Sequence, residues 1–208
     1  MTTVKNTQNI VDTVDNITLE KKSENKYELK YGNKQMTLKI APTNNQLSCG
    51  AYCFGIKQKT ENDIPTLCVS LDNCFPESIS FFDNLKDLVE NELLKQTGSV
   101  QKVAPLITRS YFKNRNGELV KIIDENKALL NLRLKYNKKQ GCLSIFKDVD
   151  GEIEFPIDEL DYGFKGVYYI DVGEVTKSSK SGLWYVNLIL DTCIVYREQP
   201  RVFGNEYL

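Results

Sequence analysis

The end of the chain constrains the fold most strongly. Residues 166–196 read GVYYIDVGEVTKSSKSGLWYVNLILDTCIVY, in which two long runs of β-branched and aromatic residues flank a short polar loop, KSSKSG. Such runs around a short loop predict a hairpin of two long strands. Its basic tip carries Lys177 and Lys180, and Trp184, the only tryptophan of the chain, lies just past the tip.

The rest of the chain predicts shorter strands and a single helix. Hairpins are expected around Gly32-Asn33, around Asn116-Gly117 and around Gly141, and GAYCFGIKQ and DIPTLCVSL predict two further strands. Apolar residues at i, i+3 and i+4 predict a helix over about 78–97 that ends at Gly98. Many short strands with one helix favour a mainly β fold. A small five-stranded barrel with extra hairpins and one packed helix fits this pattern, and a jelly-roll sandwich is the alternative.

The domain organisation follows from composition. Residues 1–25 are polar and predict an N-terminal arm, while 26–208 predict a single β-barrel domain. No run of about 18 apolar residues and no secretory signal is seen, so we expect an intracellular, non-secreted protein without a membrane partner.

The absence of histidine narrows the chemistry. A chain without histidine cannot build His-based triads, His general bases or His-ligated catalytic metals. Four of the six cysteines have a spacing that a zinc site could use, but two of these lie in strand-like runs where a thiol packs as a small apolar group. The four cysteines are Cys49, Cys53, Cys68 and Cys74. We therefore expect no metal, no cofactor and no catalytic residue.

Charge is strongly segregated although the net charge is only −1. Residues 101–148 contain 11 Lys and Arg against 4 Asp and Glu, whereas residues 149–174 contain 1 Lys against 8 Asp and Glu. Such clusters are often only solvated surface. The alternative is a basic strand surface that binds a polyanion.

Strand alternation identifies the residues of such a surface. In LITRSYFK, one face carries Arg109, Tyr111 and Lys113, and in ALLNLRLKY the polar face carries Arg133 and Lys135. Cations that follow phosphates, with flat rings that stack on bases, are what a binder of single-stranded nucleic acid needs.

The closing hairpin adds residues to this surface. In its second strand, Tyr185 lies on the mixed face. The opposite, apolar face is expected to consist of Trp184, Val186, Leu188, Leu190, Thr192, Ile194 and Tyr196. This alternation favours Trp184 as a plug of the barrel end over a platform for bases, and Tyr185 as the better stacking residue. Lys177 and Lys180 are placed to close over a groove, as hairpin loops do in oligonucleotide-binding barrels. Lysines at an exposed tip are equally explained by solubility.

The final hairpin, GVYYIDVGEVTKSSKSGLWYVNLILDTCIVYREQP, resembles the last strands of OB-fold single-stranded DNA-binding proteins of large double-stranded DNA viruses. In those proteins a basic loop also precedes an apolar strand that contains Trp and Tyr. The resemblance implies an OB-fold-like antiparallel β-barrel that protects replication or recombination intermediates without sequence specificity. It also implies a location in the host cytoplasm or nucleus. The chain ends REQPRVFGNEYL, without the acidic tail by which many such proteins recruit partners.

Three hypotheses of function stand at this point. The first is a non-enzymatic binder of single-stranded DNA, with RNA as the alternative strand and with replication proteins and a homo-oligomer as further partners. Its predicted nucleic-acid-binding residues are Arg109, Tyr111, Lys113, Arg133, Lys135, Lys177, Lys180, Trp184 and Tyr185. The second is an all-β structural or assembly protein of the virion type. The third is a carboxylate-metal enzyme that uses the acids of residues 148–161.

Overall fold

The structure, a computed structural model, has fifteen strands, one α-helix and one 3-10 turn in its described part. The described residues are 8–9, 16–32, 34–41, 51–58, 63–72, 76–115, 118–124, 127–160 and 163–196. The strands are β1 (Gln8–Asn9), β2 (Ile17–Ser23), β3 (Lys26–Tyr31), β4 (Lys34–Ile40), β5 (Ala51–Lys57), β6 (Thr66–Ser70), β7 (Ile107–Thr108), β8 (Ser110–Arg115), β9 (Glu118–Ile123), β10 (Leu129–Leu134), β11 (Tyr136–Asn137), β12 (Gly141–Cys142), β13 (Ile145–Lys147), β14 (Phe164–Lys177) and β15 (Trp184–Tyr196). Helix α1 spans Pro76–Thr97, and the 3-10 turn spans Ile157–Leu160.

The two long strands β14 and β15 organise the main sheet, as the closing hairpin predicted. They pair in antiparallel fashion from Lys165 opposite Tyr196 to Lys177 opposite Trp184. The other edge of β14 is covered in succession by β5, β4 and β3. The other edge of β15 is covered by a parallel bridge from Val103, then by β10 and then by β13.

Five of these strands close a barrel. Following the hydrogen-bonded pairs, β14 neighbours β5, β5 neighbours β6, β6 neighbours β10, β10 neighbours β15, and β15 returns to β14. The pairs are antiparallel except for β10 with β15, which run parallel. The mainly β fold with one helix and an OB-like barrel is therefore confirmed, with one parallel pair at the point of closure.

The strands on either side of Gly141 correct one expectation. β10 and β13 do not form a hairpin with each other, because both pair with β15. Between β10 and β13, the short strands β11 and β12 form a hairpin, in which Gly141 has a φ of 78°. This arrangement buries Leu130, Leu132 and Leu134 of β10 in the core. The burial of these apolar side chains offsets the entropy that is lost when segments distant in the sequence pair.

A β-bulge in β15 corrects a second expectation. Tyr169 lies opposite Thr192 and Ile170 lies opposite Leu190, so Asp191 is one extra residue in β15. A bulge changes which alternate residues face the core. The buried residues of β15 are therefore Trp184, Val186, Leu188 and Leu190 before it, and Cys193 and Val195 after it. The predicted continuation through Thr192, Ile194 and Tyr196 is wrong.

Helix α1 packs on the core through the predicted apolar stripe. Phe82, Leu85, Val89 and Leu93 are fully buried in the same cluster as the strand residues. Gly98 ends the helix at φ 69°, and its backbone N–H donates to the carbonyl of Leu94 at 2.9 Å. This is the left-handed C-terminal cap that glycine forms most readily.

The segment predicted as a polar arm contributes a strand. β2 pairs with β3 over most of its length, and it buries Ile17 and Leu19 in the core. Residues 17–23 thus belong to the sheet, because two alternating apolar side chains were enough to give the strand a buried face. Ile10, Val11 and Val14 of the same segment lie outside the described residues.

The described residues contain one helix longer than a turn, and that helix is too polar to cross a membrane.

Candidate nucleic-acid interface

A groove of about 550 Å³ lies where β10, β15 and the tip of the closing hairpin meet. Its floor is the outward face of the barrel, and its walls are residues 104–106 and the start of the hairpin tip. Val103 holds the first wall in place through its bridge to Trp184. The lining residues are Thr66, Ala104, Pro105, Leu106, Asn131, Arg133, Thr176, Lys177, Ser178, Tyr185, Val186, Asn187 and Leu188.

Strand register explains why polar side chains converge here. Thr66 of β6 lies opposite Arg133 of β10, which lies opposite Ile189 of β15. The neighbours of Arg133 in β10 point into the core, so Arg133 itself must point outward. On the far side, Thr176 of β14 lies opposite Tyr185.

Two predicted cations line the groove, and each has a neutral hydrogen-bond partner. Arg133 donates from Nη1 to the Oδ1 of Asn187 at 3.0 Å. Lys177 donates from Nζ to the Oε1 of Gln101 at 3.5 Å, and its ammonium lies 5.6 Å from the centre of the Trp184 ring. Among the described lining residues no carboxylate is found, so the groove carries two positive charges while the chain as a whole carries −1.

Two other predicted cations are neutralised by acids. Lys135, the residue that follows β10, was predicted on the face of Arg133, but its Nζ lies 3.3 Å from the Oδ1 of Asp191. Arg109 contacts Asp83 of helix α1, with 3.1 Å between Nη2 and Oδ2. Neither lines the groove.

The two aromatic residues of the hairpin have different environments. Tyr185 is 41% exposed, and its hydroxyl lies 3.3 Å from the Oγ of Ser181. Trp184 is only 2% exposed, packs edge-on against Tyr27 with 5.4 Å between ring centres, and donates from Nε1 to Gln101. A buried ring offers no face to a base, which corrects the inclusion of Trp184 among the binding residues.

The remaining predicted binding residues either do not line the groove or have side chains outside the described part of the structure. Lys180 is exposed at the hairpin tip. β8 and β9 form a separate two-stranded sheet, in which Tyr111 lies opposite Ile122 and Lys113 opposite Val120. The side chains of Tyr111 and Lys113 lie outside the described part of the structure.

Sequence reasoning missed the neutral polar lining of the groove. Asn131 and Asn187 each lie between two buried apolar residues of their strands, and that alternation was the available signal. Gln101 was missed altogether, because nothing in the local sequence indicates that it accepts hydrogen bonds from both Trp184 and Lys177.

The cysteines fit a structural role. Cys53 points into the core, and burial raises the pKa of its thiol to about 12. Cys68, on the neighbouring strand, points outward, so the two thiols lie on opposite faces of the sheet. Cys49 and Cys74 lie outside the described residues. Within the described ranges, no three Cys, Asp or Glu side chains are grouped as metal ligands.

The acids of residues 148–160 lie mostly in exposed turns. The Oδ1 of Asp148 accepts a hydrogen bond from the backbone N–H of Ile153 at 3.0 Å, which stabilises the turn that contains Gly151. Asp161 lies outside the described residues.

Comparison with known proteins gives structural neighbours only. No protein-family model matches the sequence, and no curated protein is significantly similar to it. A C-terminally truncated single-stranded DNA-binding protein from bacteriophage Enc34 is 14% identical with a TM-score of 0.47, over 92% of this chain and 98% of that one. The same protein in complex with single-stranded DNA is 13% identical with a TM-score of 0.43, over 89% and 98% of the two chains.

A third neighbour comes from another phage. Gp2.5, a single-stranded DNA-binding protein encoded by bacteriophage T7, is 10% identical with a TM-score of 0.39, over 84% of this chain and 96% of that one. The three structures are of two viral single-stranded DNA-binding proteins, the class that the closing hairpin resembles.

Proposed function

We propose that this protein binds single-stranded nucleic acid in the groove, without sequence specificity. The observation that supports the proposal is the composition of the groove. Arg133 and Lys177 line it without a described carboxylate beside them, and the exposed ring of Tyr185 lies between the strand face and the hairpin tip.

Each part of the groove has a physical role in this proposal. Arginine and lysine neutralise phosphates, and each phosphate neutralised on a single strand makes the binding constant fall with salt by a slope of about 0.7. A tyrosine face stacks on any base for about 1–3 kcal/mol. The Asn131 and Asn187 amides donate and accept hydrogen bonds, so they tolerate any base edge.

The position of the groove supports the same proposal. In chain order, β6 and β10 are the second and third strands of the closed barrel, and residues 178–183 connect the fourth to the fifth. OB-folds bind oligonucleotides on the face of strands two and three, between the loops that join strands one to two and four to five. Thr66, Asn131 and Arg133 lie on that face, Lys177 ends the fourth strand, and Ser178 begins that loop.

We propose DNA as the natural strand, following the resemblance of the closing hairpin, and protection of replication or recombination intermediates as the role. Covering a strand in this way needs no bond to be made or broken. Interactions with replication proteins and self-association are compatible extensions of the role.

The test removes both groove cations. Fluorescence anisotropy of a labelled single-stranded oligonucleotide, titrated at several salt concentrations, gives the salt slope of the binding constant. Arg133→Ala combined with Lys177→Ala is expected to weaken binding and to flatten the slope by about 1.4, because two phosphate contacts are lost. Unlabelled duplex DNA and RNA of the same sequence serve as competitors.

The chain offers a matched control. Lys138 and Lys139 are exposed and lie outside the groove, so Lys138→Ala combined with Lys139→Ala removes the same charge and is expected to leave the slope close to that of the unmodified protein. Equal effects of the two double variants would place binding elsewhere. No binding by the unmodified protein at low salt, with a salt-independent oligomer, would favour the assembly hypothesis.

A further inference from the structure

An exposed pair of aromatic rings lies on β5, outside the groove. Tyr52 is 40% exposed and Phe54 is 45% exposed, and their rings meet edge to face with 5.1 Å between centres and 88° between planes. We propose that this pair, the aromatic shelf, is a second stacking site, which takes unpaired nucleobases of the strand bound in the groove. The inference rests on the function proposed above.

The strand and the neighbouring backbone hold both rings of the aromatic shelf in place. Tyr52 and Phe54 alternate with the buried Ala51 and Cys53, so both rings are held on the outward face of the barrel. The Tyr52 ring also packs on the backbone of Gly163, where a Cβ atom would lie only 1.9 Å from the tyrosine oxygen. Because Gly163 leaves this space open, the ring is seated against the start of β14.

Strand register connects the shelf to the groove. Cys53 lies opposite Val69 and Ile56 opposite Leu67, so Phe54 and Gly55 form a bulge opposite Cys68, which in turn lies opposite Asn131 of the groove. Three residues further along β5 from Phe54, Lys57 lies opposite Thr66, which lies opposite Arg133. The outward face therefore extends from the aromatic shelf, across the bulge in β5 and over β6, to the groove.

The distance and the chemistry fit one strand of nucleic acid. Three steps between neighbouring strands, from β5 to β15, amount to roughly 14 Å at about 4.8 Å each. An OB-fold covers about 4–16 nucleotides, so one strand can reach both ends of this face. Exposed aromatic rings at each end, with cations between them, are the combination of stacking and phosphate contacts that such a strand requires.

The experiment compares oligothymidylates of two lengths, about 4 and about 16 nucleotides. Phe54→Leu keeps an apolar side chain but removes the flat ring. Its affinity for the long strand is expected to fall by about 5- to 150-fold, the range for the loss of one stacked base. Its affinity for the short strand, which the groove alone accommodates, is expected to stay unchanged. Tyr52→Leu gives a second variant of the same kind, with circular dichroism to verify the fold.

The control is Ile145→Ala, which alters another exposed apolar residue on β13, outside the face. Full affinity of Phe54→Leu for the long strand, or an equal loss for both lengths, would overturn the inference while leaving the groove proposal intact. Failure of the unmodified protein to bind either length would instead overturn the groove proposal, and the shelf with it.

Discussion

At the scale of single residues, the acid partners decide which cations are available to a ligand. Arg133 and Lys177 contact neutral amides, whereas Lys135 and Arg109 contact carboxylates. A cation that already has a carboxylate partner gains less from a phosphate, because the existing contact must first be given up. These four cations, all predicted from the sequence to bind nucleic acid, therefore differ in their availability to a phosphate.

Asp191→Asn is expected to make Lys135 available. Removing the carboxylate 3.3 Å from the Lys135 Nζ should strengthen binding at low salt and steepen the salt slope by up to about 0.7. The anisotropy titration described above measures both. Asp87→Asn on the exposed side of α1 removes the same charge at a distance and serves as the control. If Asp191→Asn combined with Lys135→Ala keeps the steeper slope, Lys135 is not the cause.

At the scale of secondary-structure elements, hydrogen bonds of Asp72 link the end of β6 to the start of β10. Its carboxylate accepts hydrogen bonds from the Lys127 Nζ at 2.7 Å and from the backbone N–H of Ala128 at 3.2 Å. Burial acts to raise the pKa of Asp72, but the bonds from Lys127 and Ala128 outweigh it, and the pKa is lowered. The two strands that carry the floor of the groove are thus joined by a charged contact.

Asp72→Asn is expected to lower the free energy of unfolding at neutral pH by about 1 kcal/mol, a value that allows for solvent exposure. Because the folded pKa is below the unfolded value of about 3.9, the contribution is present above that pH and is lost as the pH falls through the folded pKa. Urea unfolding at neutral and acidic pH should therefore show a difference between the two proteins that shrinks with acid. Glu152→Gln, at an exposed acid, is the control. A difference that persists in acid would contradict this origin.

The elements also show what the sequence can and cannot predict. The closing hairpin, helix α1 and the outward direction of Arg133 follow from local periodicity, and all were predicted. The Asp191 bulge was not, because one inserted residue leaves no local pattern. Tyr52 and Phe54 alternate with Ala51, Cys53 and Gly55, and large aromatic rings usually face the core in such a strand. Only the surrounding barrel shows that the small residues face inward.

At the scale of the whole molecule, the barrel depends on pairs that are distant in the sequence. β5 pairs with β14, and β10 with β15, so closure joins the middle of the chain to its last hairpin. Trp184 reports on this assembly, because its ring contacts Tyr27 of β3 and its Nε1 bonds to Gln101.

Folding is therefore expected in milliseconds to seconds, the range of barrels with non-local contacts. Stopped-flow refolding, followed by Trp184 emission, is expected to reach the native signal only in this main phase, together with the loss of amide exchange in β14 and β15. Native Trp184 emission within the dead time of mixing would contradict this expectation. Trp184→Phe, which lacks the reporter, identifies any signal that arises from tyrosine.

The parallel pairing of β10 with β15 affects how long a molecule stays folded. Arg133 and Tyr185 reach the same groove only when this pair has formed, so an open barrel has no groove to offer. A ligand of the groove must then favour the closed chain by mass action, by about 2.7 kcal/mol at a hundredfold excess over its dissociation constant. Under the proposed function, occupied molecules would open less often than free ones and resist proteases longer, so the supply of single strands would influence how long the protein persists.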